Sequence, residues 1–376
     1  MVRISAPIGI VDEHPEWSNR LIGELEHRRL PYEKIDHSNH AFDPRDRRRR
    51  YSVIVNRSSP SSHRRGHGSV LFYAEALLNH YEALGIPVIN PVAAYRFEKS
   101  KALQADLFER LGVRYPRAIV LNHPDQALKG LDRLRFPVLI KPNVGGSGAG
   151  IVRFDTRAEL EAAVPTLALG PDGTALLQEY LESEGDAIVR IEVLDGRYLY
   201  AIRIVRGTQS FNLCPADICQ IPPPAPVAGV CPVDAAATLE VTRFEPPAEA
   251  VHQAVALTRA ASIDVGGVEY LVNRADGQIY FYDVNATSNF VADAPNVLGF
   301  DPFKPFVDFI EGKARQRSAT ALPGRSERVG GRGWPFLRPP RAQDTPASGA
   351  RRPAARRPGR AARGGPTPAR RRAARA

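Results

Sequence analysis

Hydrophobic positions change period three times along this chain, and the changes mark out its parts. Over residues 1–97, short apolar runs alternate with helical spacing. Ile8 to Val11 reads as a strand ending at Asp12, and Pro15 to Leu30 as a helix with Trp17, Leu21, Ile22 and Leu25 on one face. Tyr51 to Val55 is a second strand, Val70 to Leu84 a second helix closed by Gly85, and Ile86 to Asn90 a third strand. This β-α-β-α-β order predicts a small open parallel sheet with helices on its faces. Ligands of such sheets sit beyond the carboxyl ends of the strands. Arg57, Ser58, Arg64, Arg65 and His67 follow one such end, either holding an anionic substrate or forming a solvated polar loop.

Residues 98–175 open with a charged helix, Glu98 to Leu111, ended by Gly112. A strand (Ala118 to Leu121), a helix (Pro124 to Leu131) and a strand–loop–strand unit follow, then a helix from Arg157 to Val164 that Thr156 can cap. Residues 176–312 carry the two-residue alternation of antiparallel strands. Leu176 to Leu181 comes first, then Ile188 to Leu194 and Tyr198 to Val205 around an Asp195-Gly196 turn. Alternation puts Arg190 and Glu192 on one face, opposite Val189, Ile191 and Val193. A helix from Pro247 to Ala261, a last hairpin and a closing helix from Pro302 to Ile310 complete this part.

From Lys313 onward apolar periodicity vanishes and Arg, Pro, Ala and Gly dominate. Residues 313–376 are therefore expected to be a disordered basic tail, because they cannot bury enough surface to offset the entropy of ordering. Charge follows the same boundary. The chain of 376 residues carries a formal +10, but residues 313–376 alone contribute +16, leaving residues 1–312 at −6. Nucleic-acid binding is thus left open for the tail only, whose other reading is an inert disordered segment. Three cysteines (Cys214, Cys219, Cys231) match neither a disulfide framework nor a zinc motif. No run of eighteen apolar residues and no signal-peptide pattern is present, so a cytoplasmic location without membrane contact is expected.

The strand–loop–strand unit is the densest chemistry in the chain. Val138 to Ile140 delivers Lys141, Pro142 stops the strand, and Gly145, Gly146, Gly148 and Gly150 fall within six residues, with Ser147 among them. Backbone N–H groups in such a loop can approach an anion closely, and a lysine at its mouth adds a point charge. A Walker loop would need Lys-Ser/Thr where Ile151 and Val152 stand, a dinucleotide fingerprint would open a helix, and a kinase loop would have its lysine downstream. What remains is a hairpin folded over phosphates, or a glycine-rich surface turn beside a partly buried lysine.

The last hairpin pairs a strand Val268 to Asn273, carrying Glu269, with a strand Gln278 to Asn285 that ends in Tyr-Phe-Tyr-Asp-Val-Asn. Asp283 and Asn285 share a face. A two-residue turn would aim Glu269 away from them, whereas a three-residue loop, Ala275-Asp276-Gly277, would pair it with Asp283. Two carboxylates and an amide oxygen suit Mg²⁺ shared with nucleotide phosphates, or else form a wet polar sheet face.

Taken in order, these motifs resemble the ATP-grasp family, specifically its RimK-like and glutathione-synthetase-type carboxylate–amine ligases, over residues 1–312. Lys101-Ala-Leu-Gln, with Gly112 and Pro116 beyond it, resembles the helix whose first lysine reaches ATP phosphate. Lys141 with Gly145, Gly146, Ser147 and Gly148 resembles the second phosphate lysine and its flap. Gln178, Glu179, Tyr180 and Leu181 are similar to the adenine-reading hinge, and Asp186 (or Glu184) to the ribose-binding acid. Arg203 resembles the basic residue near the transferred phosphate, Asn212 a substrate-loop asparagine, and Glu269, Asp283 and Asn285 the metal triad.

The resemblance implies a mixed α/β ATP-grasp fold. An N-terminal open parallel-sheet domain (1–97) would precede two α+β subdomains (98–175 and 176–312) that clasp ATP. It implies Mg²⁺ or Mn²⁺, an acyl-phosphate intermediate, a small-molecule or peptide carboxylate and an amine acceptor. Lys141, Arg203 and Asn285 would be catalytic. A small-metabolite kinase or a non-catalytic ATP-binding regulator is the alternative, and a homo-oligomer is left open. The chain departs from the family in two places. Asp283 stands where glutamate is usual, and the stretch after Arg203 lacks the paired glycines of the glutamate-ligating branch.

Overall fold

The computed structural model describes residue 4 and residues 6–146, 148–205 and 240–320, with side chains as far as residue 316. Ser147, Asn212, the three cysteines and residues 321–376 lie outside the described residues.

The chain opens with β1 (Ile8–Val11), α1 (Asn19–His27), β2 (Tyr32–Ile35), β3 (Val53–Asn56), α2 (Val70–Ala83) and β4 (Val88–Ile89). Their strands form an all-parallel sheet in the order β2-β1-β3-β4. Both central strands, Ile-Gly-Ile-Val and Val-Ile-Val-Asn, are buried along their whole length, as strands covered on both faces require. The predicted parallel sheet is present, with one strand more than expected. β2 reads Tyr-Glu-Lys-Ile and buries only Ile35; as an edge strand it needs backbone pairing but little apolar sequence. The first helix is shorter than its apolar spacing suggested, because residues 15–18 form a turn held by His14 and Asp12.

Two short helices, α3 (Val92–Glu98) and α4 (Lys101–Arg110), lead to β5 (Ala118–Leu121), α5 (Gln126–Gly130), β6 (Val138–Pro142), β7 (Val152–Phe154), α6 (Arg157–Ala163) and β8 (Ala175–Glu179). These strands form an antiparallel sheet in the order β5-β8-β6-β7. Ser100 caps α4 and Thr156 caps α6 through their side-chain oxygens.

A third sheet, antiparallel in the order β11-β10-β9-β12-β13, consists of β9 (Ala187–Leu194), β10 (Arg197–Val205), β11 (Glu240–Arg243), β12 (Val265–Val272) and β13 (Ile279–Asn285). Helix α7 (Ala248–Ala260) covers one face, where Val189, Ile191, Val193 and Ala201 meet Ala250, Ala254 and Leu257. The other face carries Ile188, Tyr200, Ile202 and Ile204 into one apolar core with Ile8, Ile10 and Val53 of the parallel sheet and Leu21 of α1. The last elements, α8 (Ala294–Leu298) and α9 (Phe303–Thr320), close that core with Phe306, Ile310 and Ala314. The closing helix was expected over Pro302 to Ile310. It continues to Thr320 because Ala314 is buried and Arg315 pairs with Glu311 one turn back.

One polar residue fastens the parallel sheet to the third sheet. Asn90, buried and at a φ of 55°, donates to the carbonyls of Val265 (2.7 Å) and Ala286, and accepts from the N–H groups of Asp264 and Val265. Its own N–H donates to Asp264 Oδ2 at 3.0 Å.

Candidate functional site

The loop between β6 and β7 is the predicted glycine hairpin: Val138 pairs with Phe154 and Ile140 with Val152. Gly148 and Gly150 take φ values of 69° and 74°, and a Cβ at Gly150 would stand 2.9 Å from Pro142 Cγ. The flap therefore depends on glycine for both its turn and its close approach to β6.

Beneath it lies a cavity of about 140 Å³ that brings together Lys101, Lys141, Gly145, Gly146, Gly148, Arg190, Glu269, Asp283 and Asn285. Lys141 is buried at the end of β6, and its ammonium donates to the Tyr282 carbonyl at 3.2 Å. Burial brings its pKa down to about 8, against the pull of Asp283. Lys101 stands in the first turn of α4, 3.3 Å from Asp283 Oδ1. That helix end is positioned by Asn143, just past β6, whose Oδ1 accepts from the Ala102 N–H at 2.9 Å and from Ser100 Oγ at 3.1 Å. Both lysines are thus fixed through one junction, since Asn143 follows the strand that carries Lys141 and caps the helix that carries Lys101.

Gln104, one turn further along α4, holds the third side of the cavity. Its amide donates to the Val284 carbonyl at 2.8 Å and accepts from the Val284 N–H at 3.1 Å. Pinning Val284 between Asp283 and Asn285 fixes the strand whose side chains face Lys101. Glu98, buried at the end of α3, accepts from the N–H groups of Ala286 and Thr287 just past Asn285. Burial pushes its carboxyl up to about 7.

Glu269 and Asp283 are paired across the β12–β13 ladder, as the three-residue turn would require, but the chain reaches that register differently. The Asn273 N–H bonds to the Gln278 carbonyl at 2.9 Å, so residues 274–277 make a four-residue loop that alone would pair Glu269 with Tyr282. A bulge at Tyr282 inserts one residue between the Glu269–Asp283 and Tyr270–Phe281 pairs and restores the alignment. Burial raises the Glu269 carboxyl against the opposing pull of Arg190. Burial also opposes ionisation of Asp283, but the ammonium groups of Lys101 and Lys141 outweigh it and hold that carboxyl below its ordinary range.

The three residues fit a divalent cation. Asp283 Oδ1 is buried without a hydrogen-bond partner and faces the Lys101 cation, so the pocket already places positive charge against it. The donors are two carboxylates and an amide, all hard oxygens. Among the described residues no three His, Cys, Asp or Glu side chains group closely enough to hold a metal without such an amide.

Arg203 does not reach this cavity. In the β9–β10 ladder Ile202 opposes Arg190 and Arg203 opposes Val189, so the two arginines point to opposite faces of the sheet. Arg203 stands instead near Gly185, where an added Cβ would come 2.9 Å from its Nη2. The cavity arginine is Arg190, whose guanidinium bonds Glu192 Oε1 at 2.6 Å and Glu269 Oε1 at 2.9 Å. It passes directly over Gly267, where a Cβ would stand 2.5 Å from Nε.

The hinge residues lie outside the cavity lining. Gln178 shares a sheet face with Lys141, about 7 Å along the strands by a two-residue register offset. Its amide donates to the Pro116 carbonyl at 3.4 Å. Glu179 faces the other way and accepts from the Arg135 N–H, Tyr180 stacks beneath Arg153, and Leu181 packs into the core. Glu184 and Asp186 are exposed, with Asp186 paired to Arg274 at 3.4 Å. The polar loop after β3 is also engaged: Arg57 is buried and donates to the Ser288 carbonyl at 2.5 Å, while Arg65 and His67 pair with Glu13. Asn143, Gln104 and Glu98 carry no spacing signal in the sequence, because each acts on backbone brought up from far along the chain.

Three sheets arranged with this hairpin over paired lysines make the fold of the ATP-grasp ligases. The ATP-grasp ligase PsnB, solved with a minimal precursor, aligns with a TM-score of 0.58 at 18% identity, over 82% of this chain and 99% of that one. D-alanine–D-alanine ligase from Bacillus anthracis also gives 0.58 at 18%, over 84% and 100%. Residues 98–212 match the RimK-like ATP-grasp domain. Among curated proteins, a probable alpha-L-glutamate ligase of Aliivibrio fischeri (strain MJ11) is 29% identical over 136 residues, 36% of this chain and 45% of that protein. Another from Parasynechococcus marenigrum (strain WH8102) is 24% identical over 281 residues, 70% of this chain and 53% of that protein. The chain thus spans about half the length of these relatives. No described helix is long and apolar enough to cross a membrane.

Proposed function

We propose that this chain is an ATP-dependent carboxylate–amine ligase that works through an acyl phosphate in the cytoplasm. The observation that carries this reading is the single cavity in which Lys101, Lys141 and Arg190 face Glu269, Asp283 and Asn285 under a glycine flap. In-line phosphoryl transfer needs positioning and charge neutralisation rather than a protein nucleophile, and this cavity supplies both. A carboxylate oxygen of the substrate attacks the γ-phosphorus of ATP, the bond to the bridging oxygen breaks, and ADP leaves. The amine then attacks the acyl carbon, and phosphate departs with its bonding pair.

Lys101, Lys141 and Arg190 hold the phosphate oxygens, and the N–H groups of the flap close over them. Glu269, Asp283 and Asn285 would hold Mg²⁺ or Mn²⁺, which when bound neutralises phosphate charge. Gln178, Glu179, Tyr180 and Leu181 would read the adenine, and Asp186 would bind the ribose hydroxyls. Probable alpha-L-glutamate ligases among the relatives, and a ligase solved with a precursor peptide among the structural neighbours, support an amino-acid or peptide carboxylate as substrate.

Incubation with Mg-ATP, hydroxylamine and a pool of amino-acid and peptide carboxylates tests the reading. Hydroxamate and ADP in equal amounts are expected. ADP with a phosphorylated metabolite and no hydroxamate overturns it in favour of a kinase.

A further inference from the structure

We propose that Asn289 determines substrate specificity by presenting its side-chain N–H₂ as a donor to an oxygen of the carboxylate substrate, with buried Arg57 as the residue that orients it. The proposal rests on the ligase reading above. Asn289 lines the cavity together with Trp17, Ser59 and Ser61, and Arg57 bonds both Asn289 and the Trp17 carbonyl. Its Oδ1 accepts from Arg57 Nη2. A guanidinium has only donors, so the amide cannot be turned the other way without opposing N–H to N–H. The flip that is usually open to an asparagine is therefore closed here. With Oδ1 bound to Arg57, Nδ2 is the branch left for the cavity, and it has no partner among the described residues.

The loop around it is fixed by side chains packed beneath it, two of which, Glu98 and Glu192, also serve the rest of the cavity. Arg57 also donates to the Ser288 carbonyl at 2.5 Å. Ser288 Oγ donates to buried Glu192 at 2.9 Å and accepts from the Phe290 N–H at 3.1 Å. Glu98 holds Ala286 and Thr287, and Thr287 Oγ1 donates to the Ser58 carbonyl at 3.2 Å. Five consecutive residues after Asn285 are thus immobilised, and Asn289 is the one whose polar head is turned with its donor outward. Among the described residues the arginines near Asn289 are engaged: Arg57 is buried beneath the loop and Arg65 is paired with Glu13. A neutral donor, held rigidly, suits an oxygen of the reacting carboxylate without binding it so tightly that attack on phosphorus is suppressed.

The test compares the full chain with its Asn289→Ala and Asn289→Asp variants in the hydroxylamine assay, using the amino-acid or peptide carboxylate that gives most hydroxamate. The Asn289→Asp change keeps an oxygen for Arg57 and so protects the fold, while replacing the donor with an acceptor. Both variants are expected to raise KM for the carboxylate at least tenfold, with KM for ATP within twofold and Tm of Asn289→Asp near that of the parent. A carboxylate KM unchanged in both variants overturns the role of Asn289 and leaves the ligase reading standing. Equal rises in both KM values also overturn it, because they mark a general loss of cavity shape. Absence of hydroxamate from the parent chain across the pool overturns the ligase reading, and the role of Asn289 with it.

Discussion

Replacing Gly267 with alanine tests how the cavity arginine is held. The added methyl would stand 2.5 Å from Arg190 Nε, so either backbone or guanidinium must move. The guanidinium is the softer element, but it is bound on two sides, to Glu192 at 2.6 Å and to Glu269 at 2.9 Å. Displacing it breaks both bonds and leaves a carboxylate that is only 1% exposed without its cation. Loss of one partner from a buried pair costs about 3–5 kcal/mol, and partial retention of one bond places the expected loss near 3 kcal/mol. For a chain of this size that lowers Tm by roughly 5 °C. The control is the same change in an Arg190→Met background, where no guanidinium stands over the glycine. There Gly267→Ala should cost about 1 kcal/mol or less, so the double-mutant cycle should show a coupling of about 2 kcal/mol. ATP turnover should fall at least a hundredfold in Gly267→Ala. Equal destabilisation in both backgrounds would refute the argument, since the methyl would then clash with something other than Arg190.

Lys141→Ala and Asp283→Asn should each lower ATP turnover by a hundredfold or more while circular dichroism stays that of the parent; normal turnover in either removes that residue from the site. Asn90→Ala strips the bonds that join the parallel sheet to Val265 and Ala286 and should cost about 3 kcal/mol, read as a drop in urea midpoint. His37 is buried against Ser58, and burial pulls its pKa down from 6.5 to about 4. Protons therefore bind the unfolded chain first: the contribution is complete above pH 6.5 and is lost as pH falls toward 4, by about 3 kcal/mol in all. Tm measured from pH 7 to pH 4 should fall less steeply in His37→Gln, and parallel curves would exclude the histidine as the source.

What the sequence made legible divides along physical lines. The glycine hairpin, Lys101, Lys141, Glu269, Asp283 and Asn285 line one cavity, and their signals in the sequence are local: a strand, a breaker, a run of residues without side chains, a carboxylate and an amide two apart on a strand. Arg203 was misplaced for the opposite reason. It and Arg190 lie on neighbouring strands, and only the register, which the Asp195-Gly196 turn and a bulge near Tyr198 set together, decides which one faces the cavity. The Glu269–Asp283 pairing was expected from a turn of three residues and is produced by a turn of four plus the bulge at Tyr282. β2 was missed because an edge strand draws on backbone pairing rather than on apolar side chains. Asn143, Gln104 and Glu98 were invisible because an amide or carboxylate that binds remote backbone has no period, and Asn289 because its partner, the Arg57 guanidinium, comes from far along the chain.

The grip of Gln104 on Val284 has a consequence for how the protein behaves among its own copies. β13 is the outer strand of its sheet, and an outer strand normally offers a row of unused N–H and C=O groups to any extended segment that drifts alongside. Here the amide of Gln104 takes both groups of Val284, and the Arg114 carbonyl takes the N–H of Phe281 at 2.8 Å. A helix side chain and a loop carbonyl stand in for the neighbour strand that is missing. The same contact that fixes Asp283 and Asn285 beside the lysines closes the β13 edge of the sheet to strand-by-strand growth, so Gln104→Ala would open an aggregation edge as well as loosen the site.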